Sequence, residues 1–290
     1  MTWTRIVPGA ALILAVLAAV MKSGNAILSG HWAYLALLVV AALVGLLLII
    51  WGVRGGTPKG RLAFRWAAAL AGVGVAALCL WMAPYPALAT SDIASETSSS
   101  GILLNPQGDK PVGVAFIPGA LVDPRAYENI WAPIAQAGYP VYIAKPAFGL
   151  AFSVPDVIAQ ASSAAPQVQR WVVAGHSLGG AVASGQTEGA AGLILLGAYP
   201  ISDISDADVP VLSISATNDG LSRPADIEAS KAELPSDAEF VVIDGGVHAY
   251  FGDYGPQGGD GEPTITREQQ QSQSQAAIES FLAGLAPQAP

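Results

Sequence analysis

Arg170-Trp-Val-Val-Ala-Gly-His-Ser-Leu-Gly-Gly180 is the stretch that decides the fold. Trp171, Val172, Val173 and Ala174 form an apolar, β-favouring run without alternation, which predicts a central strand of a parallel sheet covered on both faces. Gly175-His176-Ser177-Leu178-Gly179 then fits the G-x-S-x-G spacing, in which a strand breaks sharply into a helix. A side chain at either glycine would collide with the neighbouring strand or helix. Such a turn strains the serine backbone and presents the Ser177 hydroxyl above the sheet. It also aims the Leu178 N–H at the same point, beside the positive end of the helix that follows.

On either side of this elbow, apolar runs alternate with helical periodicity. Strands are predicted at 102–104, 112–117, 141–144, 191–196, 211–215 and 240–243. Helices are predicted from Asp123, over 155–164, from Leu178 to about Glu188, over 224–233 and over 266–285. This alternation predicts an α/β fold with a doubly wound, mainly parallel sheet and right-handed crossovers. Sites in such sheets lie at the carboxyl ends of the strands.

A serine hydroxyl at neutral pH is a poor nucleophile without a base, and the base needs an orienting acid. Of the three histidines, His31 precedes an apolar segment and His176 is the variable residue beside the serine. His248, in a glycine-rich loop after the last strand, is left as the base. The acid belongs between serine and histidine, after its own strand. Asp219 stands there, whereas Asp203 and Asp206 precede that strand and Asp253 follows the histidine. Phe116-Ile-Pro-Gly-Ala120 ends an early strand in a tight turn, where the N–H of Ala120, with Leu121 the alternative, would join that of Leu178 as an oxyanion donor. Leu121, Tyr127, Phe148 and Tyr250 are candidate pocket residues. No cofactor or metal is expected. The loop 252–262 alternates carboxylates with glycines but lacks EF-hand spacing, and is read as shaping the mouth of the site.

Three motifs carry a resemblance: Pro118-Gly-Ala-Leu-Val-Asp-Pro-Arg-Ala-Tyr127, Gly175 to Gly180, and His248-Ala-Tyr-Phe-Gly-Asp-Tyr-Gly255. Over about residues 101–285 the chain resembles the α/β-hydrolase superfamily, in particular its small single-domain, fold-5-like serine hydrolases. That resemblance implies serine hydrolase chemistry, an acyl-enzyme on Ser177 with Asp219 and His248, but not a substrate. Few residues remain for a large lid, which predicts a fairly open site and a small-molecule or lipid-derived ester as substrate. The same triad would serve an acyltransferase or thioesterase. A catalytically silent binding module would carry the fold without the chemistry.

The first third of the chain has a different composition. Residues 1–90 hold no Asp or Glu and six of the 13 Lys and Arg, while all 22 acids lie beyond Thr90. Apolar runs at about 6–21, 32–53 and 64–83 predict three transmembrane helices, since a span takes about 20 residues. Five of the seven tryptophans, at 3, 32, 51, 66 and 81, stand at or near their ends, as interfacial Trp does. Residues 1–90 therefore read as a membrane anchor whose partner is the lipid bilayer, 91–100 as a flexible linker and 101–290 as the hydrolase domain. Arg54, Lys59, Arg61 and Arg65 crowd the second connection, which the positive-inside rule puts in the cytoplasm, leaving the domain extracytoplasmic. The acidic remainder, without a basic cluster, argues against a nucleic-acid partner. Cys79, the one cysteine, excludes an intrachain disulfide and reads as a packing residue.

Overall fold

The computed structural model describes residues 3–55, 62–105 and 107–285. Lys59, Arg61, Pro106 and residues 286–290 lie outside the described residues. The chain divides into two compact units, Met1–Tyr85 and Pro86–Pro290.

The first unit consists of α1 (Trp3–Ser29), α2 (Trp32–Val53) and α3 (Leu62–Trp81). All three are long and apolar enough to cross a membrane. The second has the predicted bounds, and the first runs eight residues beyond Met21, with a break in helical geometry at Ser23. Glycine permits close helix contact here: a Cβ at Gly9 would press on the Gly45 carbonyl, and one at Gly45 on that of Gly9. Cys79 is fully buried, and its carbonyl accepts a hydrogen bond from the Tyr34 hydroxyl at 2.5 Å.

The second unit is built on an eight-stranded sheet ordered β1-β2-β4-β3-β5-β6-β7-β8. Its strands are β1 (Ser95–Thr97), β2 (Gly101–Leu104), β3 (Val112–Ile117), β4 (Val141–Ala144), β5 (Arg170–His176), β6 (Gly192–Leu196), β7 (Val211–Ala216) and β8 (Glu239–Ile243). The β1-β2 and β2-β4 pairs are antiparallel and the other five parallel. The helices are α4 (Glu128–Gln136), α5 (Val157–Ala164), α6 (Leu178–Ser184), α7 (Pro224–Ser230) and α8 (Arg267–Leu285). Strands β2 to β7 are buried almost throughout, as their unalternating apolar sequences require of strands covered on both faces. One row of the register runs His176, Leu196, Ile214, Val241, so the loops after β5, β7 and β8 leave the sheet at the same edge.

Two expectations change. Helix α6 stops at Ser184, short of Glu188, where the Ser184 hydroxyl bonds back to the Ala181 carbonyl. The stretch 91–100, read as a flexible linker, instead contains strand β1, and the chain before it is held to the domain. The Leu88 N–H donates to the Asp253 carbonyl at 2.7 Å, the Ala87 N–H to Asp123 Oδ2 at 3.4 Å and the Ser91 N–H to Glu128 Oε2 at 3.2 Å. The small polar residues there read as a tether because β1 has no apolar face to reveal it: all three of its residues are exposed. Backbone pairing and two carboxylates do the holding.

Candidate active site

Ser177 stands between β5 and α6 with φ 54° and ψ −126°, a left-handed backbone that strains any residue with a Cβ. The reason lies in the packing of the turn. A Cβ at Gly175 would strike the Gly179 backbone, and one at Gly179 would strike the carbonyls of Ile117 and Pro118 at the end of β3. The helix therefore starts directly against the sheet, and the serine is turned outward. Its N–H is fixed by the Leu196 carbonyl at 3.1 Å.

Asp219 follows β7 and His248 follows β8, 29 residues apart, and the structure brings them together. Asp219 Oδ2 lies 2.8 Å from His248 Nδ1, with both side chains fully buried. The other carboxylate oxygen, Oδ1, accepts the N–H groups of Leu221 at 2.8 Å and Ser222 at 2.7 Å. The Ser222 hydroxyl in turn donates to the Gly197 carbonyl at 2.6 Å, tying the acid loop to the end of β6. With Nδ1–H given to the carboxylate, His248 presents Nε2 as an acceptor, the tautomer a general base needs. Nε2 is buried and has no hydrogen-bond partner among the described residues, so Ser177 and His248 are not in hydrogen-bond contact.

The two predicted oxyanion positions differ from their neighbours. The Gly119 N–H is taken by the Tyr127 hydroxyl at 3.0 Å and the Leu121 N–H by the Gly149 carbonyl at 2.8 Å. The N–H of Ala120, between them, has no partner among the described residues, nor has that of Leu178 at the start of α6. Of the two, the Leu121 N–H is thus occupied and the Ala120 N–H is open.

A cavity of about 260 Å³ opens at Ser177, lined by Leu178, Ala181, Ala198, Tyr199, Leu221 and Ser222. None of the four candidate pocket residues lines it. Tyr127 is fully buried, with its hydroxyl between the Gly119 N–H and His176 Nδ1, 2.8 Å away. Tyr250 lines a separate cavity beside Arg267, whose guanidinium lies 4.5 Å from the centre of its ring. Leu121 is buried against Gly149, and Phe148, at φ 56°, sits in the partly exposed loop after β4. An apolar or aromatic side chain near a motif or a strand end reads the same in sequence whether it fills the core or lines a cavity.

Sequence reasoning passed over two side chains. His176 is fully buried with its ring centroid 4.4 Å from that of His248. Burial first, and the adjacent His248 second, hold its pKa well below the usual histidine range, so it stays neutral. The Tyr127 oxygen accepts from Gly119, which leaves the phenolic hydrogen to donate to His176 Nδ1. Burial raises the Tyr127 pKa, keeping that hydrogen in place. The second is Asp260, whose carboxylate oxygens accept backbone N–H groups from both the Asp219 and His248 loops.

No curated protein sequence matches the chain. Among solved structures, the apo form of esterase 2 from Thermogutta terrifontis is 15% identical, covering 70% of this chain and 98% of its own, with a TM-score of 0.48. An alpha-beta serine hydrolase homologue from Coxiella burnetii is 15% identical, covering 67% of this chain and 99% of its own, with a TM-score of 0.48. The sequence profile of the alpha/beta hydrolase family matches residues 113–272, more than half of the chain, and takes in Ser177, Asp219 and His248. The chain belongs to the alpha/beta hydrolase family.

Proposed function

We propose that the protein is a membrane-anchored serine hydrolase that cleaves small carboxylic esters through an acyl-enzyme on Ser177. The observation that carries this is the buried Asp219–His248 pair, at the sheet edge where a strained turn exposes Ser177. In the first half-reaction the Ser177 oxygen attacks the ester carbonyl, His248 Nε2 takes the hydroxyl proton, and the alcohol leaves with that proton. Water then attacks the acyl-enzyme by the same route, returning the acid product and the free serine. Asp219 holds the imidazole in its tautomer throughout. Serine–histidine contacts are often open in unliganded sites and close when substrate binds.

The N–H groups of Ala120 and Leu178 receive the charge that develops on the carbonyl oxygen, each contributing about 3 kcal/mol to lowering the barrier. The cavity of about 260 Å³ is below the range of roughly 300–1,000 Å³ typical of drug-sized ligand sites, which favours a small acyl or alkoxy group. Helices α1 to α3, long and apolar enough to span a membrane, support the anchor, and the basic residues of the connection after α2 support a hydrolase unit outside the cytoplasm. Ser177→Ala should abolish both turnover of short aryl esters and labelling by a fluorophosphonate. Labelling that persists in this variant sinks the assignment.

A further inference from the structure

The loop after His248 holds a carboxylate that the proposed chemistry does not use. Asp260 Oδ1 accepts N–H groups from Gly220 at 3.2 Å, His248 at 3.1 Å and Gly261 at 2.8 Å, and Oδ2 accepts that of Ala249 at 2.8 Å. Gly220 is the residue after Asp219, and Ala249 the residue after His248. One side chain thus grips the backbone beside the acid and the backbone of the base itself.

The packing around it points the same way. A Cβ at Gly220 would strike the Gly259 carbonyl, and one at Gly261 would strike that of Asn218. The 259–261 turn therefore lies directly on the acid loop, with backbone against backbone. The Asn218 side-chain amide also donates to the Glu262 carbonyl at 2.9 Å. Asp219 and His248 stand three residues beyond β7 and five beyond β8, outside the ladder that aligns those strands. Beyond the ladder the two loops are still joined, by the Asn218 N–H to the Gly246 carbonyl at 3.0 Å and the Gly245 N–H to Thr217 Oγ1 at 2.8 Å. Asp260 adds bonds at Gly220, His248 and Ala249, on and just past the catalytic residues, and charge-assisted hydrogen bonds are the stronger kind.

We propose that Asp260 is a positioning residue, a clamp that fixes the Asp219 loop against the His248 loop so that His248 Nδ1 meets Asp219 Oδ2. The proposal rests on the triad assigned above. Asp260 does not touch substrate and transfers no proton. Its effect is on orientation, so its loss lowers kcat and leaves KM nearly alone.

The test uses the full chain in detergent, with a short aryl ester and a fluorophosphonate as probes. Asp260→Asn keeps an oxygen for the three N–H groups at Oδ1 and sets an amide donor against the Ala249 N–H, while Asp260→Ala removes all four bonds. Asp253→Asn is the control. It lies in the same loop, where the Asp253 carboxylate accepts from Asn129 and Gln271 side chains and pairs with Arg267 at 3.7 Å, and so reaches the His248 loop only through Arg267, which donates to the Ala249 carbonyl. The expected result is a kcat lowered about tenfold in D260N and about a hundredfold in D260A, the scale of a misplacement near 1 Å. KM stays within about twofold, and the labelling rate falls in parallel, whereas D253N lowers the melting temperature without this loss of kcat. The clamp is overturned if folded D260N keeps full kcat, or if D253N loses kcat to the same degree. The two readings fail separately. Labelling of S177A removes the triad and Asp260's role with it; a silent S177A beside a fully active D260N removes the clamp alone.

Discussion

Asp219→Asn is the substitution whose outcome the geometry determines most closely. An amide has one acceptor and one donor end, and the surroundings decide which faces His248. Oδ1 of Asp219 accepts from Leu221 and Ser222 at 2.8 and 2.7 Å, so the amide oxygen must stay there. Turning the amide over would set its NH₂ against two backbone donors in a buried site, at about 1–3 kcal/mol for each donor left unpaired. The NH₂ therefore points at His248 Nδ1, which must become the acceptor. The ring proton then moves to Nε2, and the base can no longer take a proton from Ser177. A wrong tautomer of this kind costs about 10⁴ in kcat, or roughly 5.5 kcal/mol of barrier. Stability should barely change, because all three contacts of the side chain persist. Steady-state hydrolysis of a short aryl ester, read beside a melting curve, makes the measurement. A kcat within tenfold of the parent in a folded D219N protein would refute the tautomer argument and the role of Asp219 with it.

Tyr127→Phe leaves the buried Gly119 N–H and His176 Nδ1 without their partner, so it should destabilise the domain by about 2–4 kcal/mol in denaturant titration. Gly179→Ala drives a methyl group into the carbonyls ending β3, and its measured effect should be loss of folded, labelled protein rather than a change in KM. His176 is held neutral in the native state, so below its unfolded pKa of about 6.5 the unfolded chain takes up a proton that the native chain refuses. Its contribution is therefore complete above that pH and falls by up to about 1.4 kcal/mol per unit below it, a slope that urea midpoints should show and His176→Gln should remove. A reporter active only outside the cytoplasm, fused after residue 285, should be active if the basic loop faces inward; activity of a cytoplasmic reporter at the same point overturns the topology.

The strands and helices of the hydrolase unit were legible because their signals are local. An unbroken apolar run such as 171–174 has few alternatives to a buried strand, and G-x-S-x-G states its own turn. Asp219 and His248 were legible for a different reason: each follows a strand, in the order that places both at one sheet edge, and they are hydrogen-bonded there. What escaped were residues whose roles depend on where the chain returns. Asp260 sits in an exposed-looking Gly-Asp-Gly run, and nothing in that run shows that its carboxylate meets Gly220, 40 residues away. Strand β1 escaped because pairing at a sheet edge needs only backbone. The pocket residues were misplaced because an aromatic such as Tyr127 reads the same whether it lines a cavity or fills the core.

His176 completes the electrostatics of the site. In the proposed cycle His248 becomes a cation each time it takes the serine proton, and His176 lies with its ring 4.4 Å from it in a space closed to solvent. Two imidazolium ions at that spacing would repel strongly, since little water screens them. The position can hold a histidine only if it is one that refuses the proton. Burial supplies that refusal, and the Tyr127 hydroxyl reinforces it by donating to Nδ1, which must then remain unprotonated. The same hydroxyl accepts from Gly119, beside the free N–H of Ala120. A chain of hydrogen bonds therefore runs from the residue before Ser177 to the proposed oxyanion loop. Through it, the neutral state of one histidine and the placement of the proposed donor Ala120 are tied to a single phenol.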